Sequence, residues 1–172
     1  MRLQSLDDVF REQIEDLHSA ETQLVDALPA VAEAASDDKL KQAVREHLEE
    51  TRGHVRRLEQ IEGELSIAAQ ERCEAMAGLI AEGEEIVSAD GAPAAKDAAL
   101  IAAAQRIEHY EIAAYGTAKA LASELGYDNA KKLLDETLGE ESQADELLTK
   151  IATGGLFKSG VNETAPTSTA TA

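Results

Sequence analysis

Basic and aromatic side chains are scarce in this sequence of 172 residues, and each shortage excludes a class of function. Sixteen lysines and arginines stand against 34 aspartates and glutamates, which leaves a formal net charge of -18. A field of that sign repels the phosphate backbone of nucleic acids, so we expect no direct nucleic-acid binding. There is no tryptophan, 3% of the residues are aromatic, and three are proline, whereas 44% are hydrophobic. Together with abundant alanine, this composition favours an all-α fold with an aliphatic core.

Cysteine and long apolar runs are also nearly missing. The single cysteine, Cys73, excludes an intramolecular disulfide. No apolar run is long enough to cross a bilayer, and the first residues lack the hydrophobic segment of a secretory signal. No Cys-x-x-Cys pair is present that could hold a rubredoxin-type iron. We therefore expect a cytoplasmic protein that does not interact with a membrane.

Hydrophobic periodicity predicts four long helices. They are expected at about residues 5–35, 38–62, 94–125 and 128–153. Ser5 and Asp8 resemble a capping box that opens the first helix. Gly63 and Gly126 are expected to end the second and third long helices, because glycine adopts the left-handed conformation of a helix C-terminus at little energetic cost.

A long connection separates the first pair of helices from the second pair. Residues 63–93 contain a short amphipathic helix at about 73–88, so the connection can run back along the length of a helix. This arrangement predicts a four-helix bundle with one crossover, within a domain of residues 1–153. The remainder, residues 154–172, is rich in threonine and alanine and is expected to be a disordered tail.

Carboxylates interrupt the apolar face of the long helices. Glu21 lies in the apolar stripe of the first helix, Glu108 and Glu111 lie three residues apart in the third, and Glu141 lies at the centre of the fourth. Burying an unpaired carboxylate costs roughly several kcal/mol, so these positions make sense only if cations lie among them. The complete set of candidate metal ligands is Glu21, His47, Glu50, His54, Glu108, Glu111, Glu141 and Asp145.

An internal repeat relates the two pairs of helices. Glu21 and Glu111 each lie 15 residues before the break that ends their helix. Glu50 lies 12 residues, and Glu141 lies 13 residues, after the aspartate that opens their helix. Two such hairpins would bring four carboxylate-bearing helices together around a pseudo-twofold axis. Carboxylate oxygens with one or two imidazoles suit iron or manganese, so two divalent ions of either metal are the expected cofactors.

Four stretches carry a resemblance to a known group of proteins. They are residues 16–21 (DLHSAE), 47–51 (HLEET), 73–80 (CEAMAGLI) and 97–112 (DAALIAAAQRIEHYEI). These stretches resemble the YciF-like group, a bacterial stress-associated branch of the ferritin-like superfamily, and the likeness covers about residues 6–151. The third long helix is also similar to rubrerythrin, in which Glu-x-x-Glu is followed by a tyrosine, as in Glu108, Glu111 and Tyr115. The resemblance implies a ferritin-like four-helix bundle, usually dimeric, with a dinuclear metal centre of unestablished reaction.

The sequence departs from the Glu-x-x-His pairs that are usual in dinuclear carboxylate proteins. The second helix has His47-x-x-Glu50 and Glu50-x-x-x-His54, and the fourth has Glu141-x-x-x-Asp145 without a histidine. Because the YciF-like group often carries glutamine in place of His54, His47 is the expected imidazole ligand if only one binds. Glu108 is an extra carboxylate on the side of the second hairpin, so the two metal positions are expected not to be equivalent, and the imidazole-poor position is expected to bind its ion more weakly.

Two classes of function stay open at this point. The first is a redox-active diiron or dimanganese protein that reacts with oxygen or peroxide, or oxidises iron(II), under stress. Its partners would be a small oxidant or a metal ion and a second copy of the chain. The second is a non-enzymatic module for dimerisation or interaction, in which protons, water and hydrogen bonds satisfy the polar core.

Overall fold

The computed structural model describes residues 3–68, 72–155 and 158–168, and helices dominate them. The helices are α1 (Leu6–Ala34), α2 (Asp38–Leu65), α3 (Glu74–Ser88), α4 (Pro93–Leu125), α5 (Asp128–Thr153) and α6 (Val161–Thr164). Two short strands, β1 (Gly154–Gly155) and β2 (Lys158–Ser159), pair in antiparallel orientation. The predicted all-α fold is confirmed, and α1 to α5 begin and end within three residues of the expected bounds. None of the described helices is long and apolar enough to cross a membrane.

The four long helices form a bundle with one crossover. Helix α1 packs against α2 and α4, and α5 packs against α4 and α2. The ring of Phe10, near the start of α1, contacts Tyr127, which follows α4. At the other end of the bundle, Asp97 near the start of α4 accepts hydrogen bonds of 2.8 Å from the backbone amides of Ser36 and Asp37. The connection from α2 to α4 therefore runs back along the bundle, and its helix α3 packs on α1 and α4.

Capping residues set where the first two helices begin and end. Asp8 N donates to Ser5 Oγ and Ser5 N donates to Asp8 Oδ2, so the predicted capping box is present. Helix α2 was expected to end at Gly63. It continues instead to Leu65 and ends with Ser66 in the left-handed conformation (φ 52°). One glycine costs a helix only about 1 kcal/mol relative to alanine, and packing of the adjacent apolar residues outweighs that penalty.

The apolar core is divided into two clusters by a polar layer at mid-height. One cluster contains Leu24, Leu28, Leu40, Val44, Met76, Leu100, Ile101 and Leu148. The other contains Phe10, Ile14, Leu17, Leu58, Ile61, Tyr115 and Leu134. The buried polar residues that separate these clusters along the four long helices are Glu21, His47, Thr51, His54, Glu108, Glu111, Thr137 and Glu141. Every long helix thus contributes to the polar layer.

The described part of the segment after residue 153 is not the disordered tail that its composition suggested. Val161 is only 4% exposed and packs into the first apolar cluster. A Cβ atom at Gly160 would lie 2.3 Å from the backbone nitrogen of Gly154 and 2.4 Å from the carbonyl oxygen of Ala152. One apolar anchor and one glycine that permits close backbone approach therefore hold this segment on the bundle. Residues 169–172 lie outside the described residues.

Candidate metal centre

Six of the eight sequence-predicted ligands meet in the polar layer, in two groups that share one residue. The first group is His47, Glu108, Glu111 and Glu141, and the second is Glu21, His54 and Glu141. Within each group, one ligand atom from every residue lies within 4.8 Å of the ligand atoms of the others. All six residues are buried, with exposed fractions between 0% and 7%.

The two carboxylate oxygens of Glu141 face different histidines. Oε1 lies 2.9 Å from Nδ1 of His54, and Oε2 lies 3.7 Å from Nε2 of His47. Nε2 of His47 also lies 3.5 Å from Glu108 Oε1, and Nδ1 of His54 lies 3.2 Å from Glu21 Oε1. A carboxylate oriented in this way can bridge two ions, one on each oxygen. Each group contains one imidazole, so neither is poorer in imidazole than the other, and the two groups differ in their number of carboxylates.

The outward-facing nitrogen of each histidine lies near a further carboxylate. Nε2 of His54 lies 2.9 Å from Glu140 Oε2, and Arg57 holds Glu140 through two hydrogen bonds of 2.7 and 2.8 Å. Nδ1 of His47 lies 3.4 Å from Glu50 Oε2. When Nε2 of a neutral His54 donates to Glu140, the lone pair of Nδ1 faces the inside of the cluster. Carboxylates behind the outer nitrogen orient metal-binding histidines in this manner.

Glu50 and Asp145 were predicted as ligands, and the structure does not bring them into either group. The side chain of Glu50 is 47% exposed and contacts only the outer nitrogen of His47 among the candidate ligands. Asp145 accepts a hydrogen bond of 2.9 Å from Gln105 Nε2 and lies 3.5 Å from Nε2 of the exposed His109. Both carboxylates lie on the flank of the bundle.

Glu50 was predicted as a ligand because the sequence comparison of the two helix pairs was offset by one residue. Glu50 and Glu140 each lie twelve residues after the first residue of their helix, whereas Thr51 and Glu141 each lie thirteen residues after it. One residue rotates a position by about 100° around a helix, which separates the core face from the flank. Glu50 is therefore the counterpart of Glu140, and both lie behind a histidine. The sequence analysis missed Glu140 and its link to Arg57; equal spacing in the repeat could have indicated that Glu140 corresponds to Glu50, but not that it contacts Arg57.

Unbonded polar atoms concentrate in these six residues. Within the part of the chain that the structure describes, eight buried side-chain nitrogen and oxygen atoms have no hydrogen bond of good geometry, and all belong to the two groups. They are Glu21 Oε2, His47 Nδ1, His54 Nδ1, Glu108 Oε2, both oxygens of Glu111 and both oxygens of Glu141. Two of them, Nδ1 of His54 and Oε1 of Glu141, lie 2.9 Å apart and face each other as an ion pair. Most buried polar atoms in proteins have a partner, so such a concentration makes the polar layer a group of residues that could hold a metal ion. Oxygen donors with one imidazole per group fit iron or manganese.

The two imidazoles hold their protons tightly when no metal is bound. Burial by itself lowers the pKa of His47, but nearby carboxylates, Glu108 foremost, raise it to about 9. Burial likewise opposes the charged form of His54, and Glu141 and Glu21 overcome it and raise the pKa to about 10. Protons therefore occupy, at neutral pH, the nitrogens that a metal would need.

The glutamates of the layer divide into two kinds. Burial raises the pKa of Glu108 to about 8, although His47 opposes the shift. Burial and the neighbouring carboxylates, Glu141 first, raise the pKa of Glu111 well above its usual value. Burial would also raise the pKa of Glu141, but the two histidines outweigh that effect and lower it. Glu141 is thus the carboxylate that is best prepared to bind a cation at neutral pH.

Tyr115 holds the carboxylate of Glu21 from the side of the second apolar cluster. Its hydroxyl donates to Glu21 Oε1 at 2.5 Å, and both side chains are fully buried. This is the tyrosine that follows Glu108 and Glu111 in the stretch that resembles rubrerythrin. Because Oε1 is occupied by the tyrosine, Oε2 of Glu21 is the atom left without a hydrogen bond.

Comparison with known proteins identifies the family of this bundle. A family model described as a domain of unknown function, DUF892, matches residues 5–165. The chain belongs to the DUF892 family. Protein YciF of Escherichia coli (strain K12) is 46% identical to this DUF892 chain over 166 residues, which cover 95% of this chain and 99% of YciF. The resemblance to the YciF-like group that the four stretches indicated is confirmed.

Solved structures share the bundle of this DUF892 chain. The crystal structure of the E. coli stress protein YciF aligns with a TM-score of 0.83 and 47% identity, over 86% of this chain and 94% of that one. YcfI of Rhodopseudomonas palustris, described as a candidate structural protein, aligns with a TM-score of 0.83 and 38% identity, over 87% of this chain and 96% of that one. Neither description names a metal or a reaction, so function must be inferred from the site itself.

Proposed function

We propose that this stress-protein relative binds two divalent ions, iron or manganese, in the polar layer and uses them in a redox reaction with oxygen or peroxide, or in the oxidation of iron(II). The observation that carries this proposal is the convergence of six buried histidine and glutamate residues from four helices, eight of whose side-chain atoms have no hydrogen bond of good geometry. E. coli YciF is described as a stress protein, and its 46% identity to this chain supports a role under stress.

The two groups divide the ions between them. The first ion would be held by Nε2 of His47 with Glu108, Glu111 and one oxygen of Glu141. The second would be held by Nδ1 of His54 with Glu21 and the other oxygen of Glu141. Two divalent cations balance the charge of four ionised carboxylates when both imidazoles are neutral, and this balance would make the burial of the cluster favourable.

The remaining residues prepare the site for that role. A bound pair of such metals supplies the exchange of electrons with an oxidant. Glu140, held by Arg57, keeps the outer N–H of His54 occupied, and Tyr115 fixes one oxygen of Glu21. Apolar clusters lie on both sides of the layer. This surrounding favours a fixed ligand geometry.

Metal content and metal-dependent stability test the proposal. Protein purified without chelator should contain about two ions of iron or manganese per chain, and chelation followed by addition of iron(II) or manganese(II) should lower and then restore its melting temperature. The variant Asp145→Asn should behave like the wild type, because Asp145 lies outside both groups. An ion content far below one per chain, together with a melting temperature that neither metal changes, would contradict metal binding.

The redox part needs a separate measurement. Metal-free protein loaded with two equivalents of iron(II) under argon should consume added oxygen or peroxide faster than the same concentration of iron(II) in buffer. Optical absorption of oxidised iron should grow at the rate at which the oxidant disappears. If the protein binds two ions but consumes neither oxidant faster than free iron, this result would support the metal site and contradict the proposed reaction.

A second candidate is a non-enzymatic module for dimerisation or interaction. It is favoured by the raised pKa values of His47, His54, Glu108 and Glu111, because protons on these groups could take the place of cations. The description of the relative YcfI as a candidate structural protein agrees with it. Sedimentation of the metal-free and metal-loaded protein tests the homodimer that the resemblance implies, and the metal analysis above decides between the two functions.

A further inference from the structure

A cavity of about 540 Å³ adjoins the polar layer. Its aliphatic lining includes Leu24, Leu28, Val44, Leu100, Ile107 and Leu148. It also reaches His47 and Glu108, two residues of the first metal group. Small-molecule sites in proteins typically have volumes of about 300–1,000 Å³ and a largely apolar lining with a few polar groups. The cavity thus has the size and composition of a site for an organic molecule.

Neither core packing nor ion transport accounts for this space. Protein cores are close-packed, whereas this cavity is open to solvent at its exposed border, so its aliphatic wall is left uncovered by neighbouring side chains. A hydrated metal ion gains nothing from an aliphatic wall that offers no ligand or hydrogen-bonding group. A molecule with an apolar body, in contrast, is stabilised by every leucine and valine side chain that it covers.

The charged residues that border the cavity are mostly acidic. Asp26, Glu46, Glu84 and Glu146 border it and are exposed to solvent. Among the described lining residues the one lysine is Lys150, which lies 3.3 Å from Glu146, and this carboxylate offsets its charge. The local field adds to the net charge of -18 and attracts cations while it repels anions. A fatty acid or another apolar anion is therefore disfavoured.

We propose that the cavity binds an organic cation with an apolar body, such as a long-chain amine. The apolar body would lie against the aliphatic lining, and the ammonium group would lie among the bordering carboxylates. Binding itself needs no metal. The functional role of the ligand rests on the proposed function, because the ligand would lie beside His47 and Glu108. Organic cations would then be the class of molecule that reaches the metal site.

Displacement of an uncharged fluorescent probe from metal-free protein tests the charge preference. N-phenyl-1-naphthylamine should bind with one molecule per chain and be displaced by dodecylamine, dodecanol and dodecanoate, all used below their micelle concentrations. Dodecylamine should act at a concentration roughly tenfold or more below that of dodecanoate, with dodecanol between them. Equal potency of the amine and the acid, a more potent acid, or many probe molecules per chain would overturn the proposal.

Filling the cavity tests where the ligand binds. Ala103→Leu adds bulk to a buried lining residue, and Ala102→Leu makes the same change at the adjacent exposed residue, which is not part of the lining. Affinity for dodecylamine should fall about tenfold or more in Ala103→Leu and stay unchanged in Ala102→Leu. Ala144→Leu is a second filling variant on another helix and decides the matter if Ala103→Leu does not fold. Wild-type affinity in a folded filling variant would overturn the proposal.

The metal content of the same preparations separates the two proposals. Wild-type protein that holds two ions but fails to bind the amine would contradict the cavity proposal alone. Protein that binds the amine at one site but holds no ions would support the cavity proposal and contradict the metal function.

Discussion

At the scale of single residues, Glu141 has the most central position in the site. It belongs to both groups, and each of its oxygens faces a different histidine. Its lowered pKa, unlike the raised values of Glu108 and Glu111, leaves it ionised at neutral pH. Loss of this one carboxylate should therefore affect both metal positions together.

Matched carboxylate-to-amide variants test that expectation. Glu141→Gln should reduce the metal content from about two ions per chain to less than one, because it removes the shared ligand. Glu50→Gln should keep both ions but weaken binding at the His47 position by about 10–100-fold, since it changes only the group behind the imidazole. Asp145→Asn should have no effect. Titration calorimetry and elemental analysis measure these outcomes, and full occupancy in Glu141→Gln would contradict the shared-ligand arrangement.

Proton release should accompany metal binding. His47, His54 and Glu108 have pKa values of about 9, 10 and 8 in the metal-free protein, so each carries a proton at pH 7 that a metal must displace. Metal affinity should consequently increase with pH between 6 and 9. Calorimetry in two buffers of different ionisation enthalpy counts the released protons, and a count of zero at pH 7 would exclude binding through these groups.

The stability of the metal-free protein should change with pH in the opposite direction. A histidine whose pKa is raised by folding stabilises the folded state below its ordinary pKa of 6.5 and loses that contribution as the pH rises through the folded value. His47 and His54 should thus make metal-free protein less stable from pH 6.5 to about 10. Urea denaturation at several pH values in the presence of a chelator measures the trend, and a flat profile over this range would count against it.

At the scale of helices, periodicity was enough to locate the bundle but not its exact rotational register. Apolar spacing predicted α1 to α5 because their buried faces repeat with the helical period. The same spacing brought Glu21, Glu108, Glu111 and Glu141 onto buried faces, and the structure agrees. It failed for Glu50, because an error of one residue in the repeat moves a side chain from the core to the flank.

Contacts between distant segments explain the other differences from the sequence prediction. The link from Arg57 to Glu140 joins α2 to α5, and neither helix pattern reveals it alone. The segment after α5 looks like a linker by composition, yet Val161 and Gly160 attach it to the bundle. Such contacts depend on tertiary packing, which local periodicity does not encode.

A glycine substitution tests how the C-terminal segment is held. Gly160→Ala would place a Cβ atom 2.3 Å from the backbone nitrogen of Gly154, so we expect the segment to detach and Val161 to become exposed. The melting temperature should fall by several degrees, and limited proteolysis should cleave the segment faster. Asn162→Ala is a matched control at an exposed position of the same segment. Unchanged proteolysis in Gly160→Ala would show that the segment does not depend on this close contact.

At the scale of the whole molecule, the polar layer separates two apolar clusters that would otherwise form one core. The bundle therefore depends on whatever satisfies the layer. Protons can do so in part, because they pair the two histidines with Glu141, Glu21 and Glu108, but both oxygens of Glu111 stay without a hydrogen bond. Cations at the positions proposed above would satisfy the carboxylate oxygens that face the layer and would connect all four long helices, which should stabilise the fold as a unit.

Replacing the buried carboxylate of Glu111 should affect stability differently in the metal-free and the metal-loaded protein. Glu111→Gln removes a group whose pKa is raised well above normal, so at pH 9 the metal-free variant should be more stable than metal-free wild type by about 1–3 kcal/mol. The variant should gain less stability from iron(II) or manganese(II), because a ligand is lost. Each kcal/mol corresponds to a shift of roughly 2–4 °C in melting temperature for a chain of this size. Equal metal-induced shifts in variant and wild type would contradict a ligand role for Glu111.

Element-resolved anomalous diffraction from crystals prepared with iron(II) would locate the bound metal in the polar layer. We expect two iron peaks inside the bundle, one among Nε2 of His47, Glu108, Glu111 and Glu141, and one among Nδ1 of His54, Glu21 and Glu141. Both peaks should lie apart from Glu50 and Asp145. Absence of iron from the polar layer, or peaks confined to carboxylates on the surface, would contradict a dinuclear site in this protein.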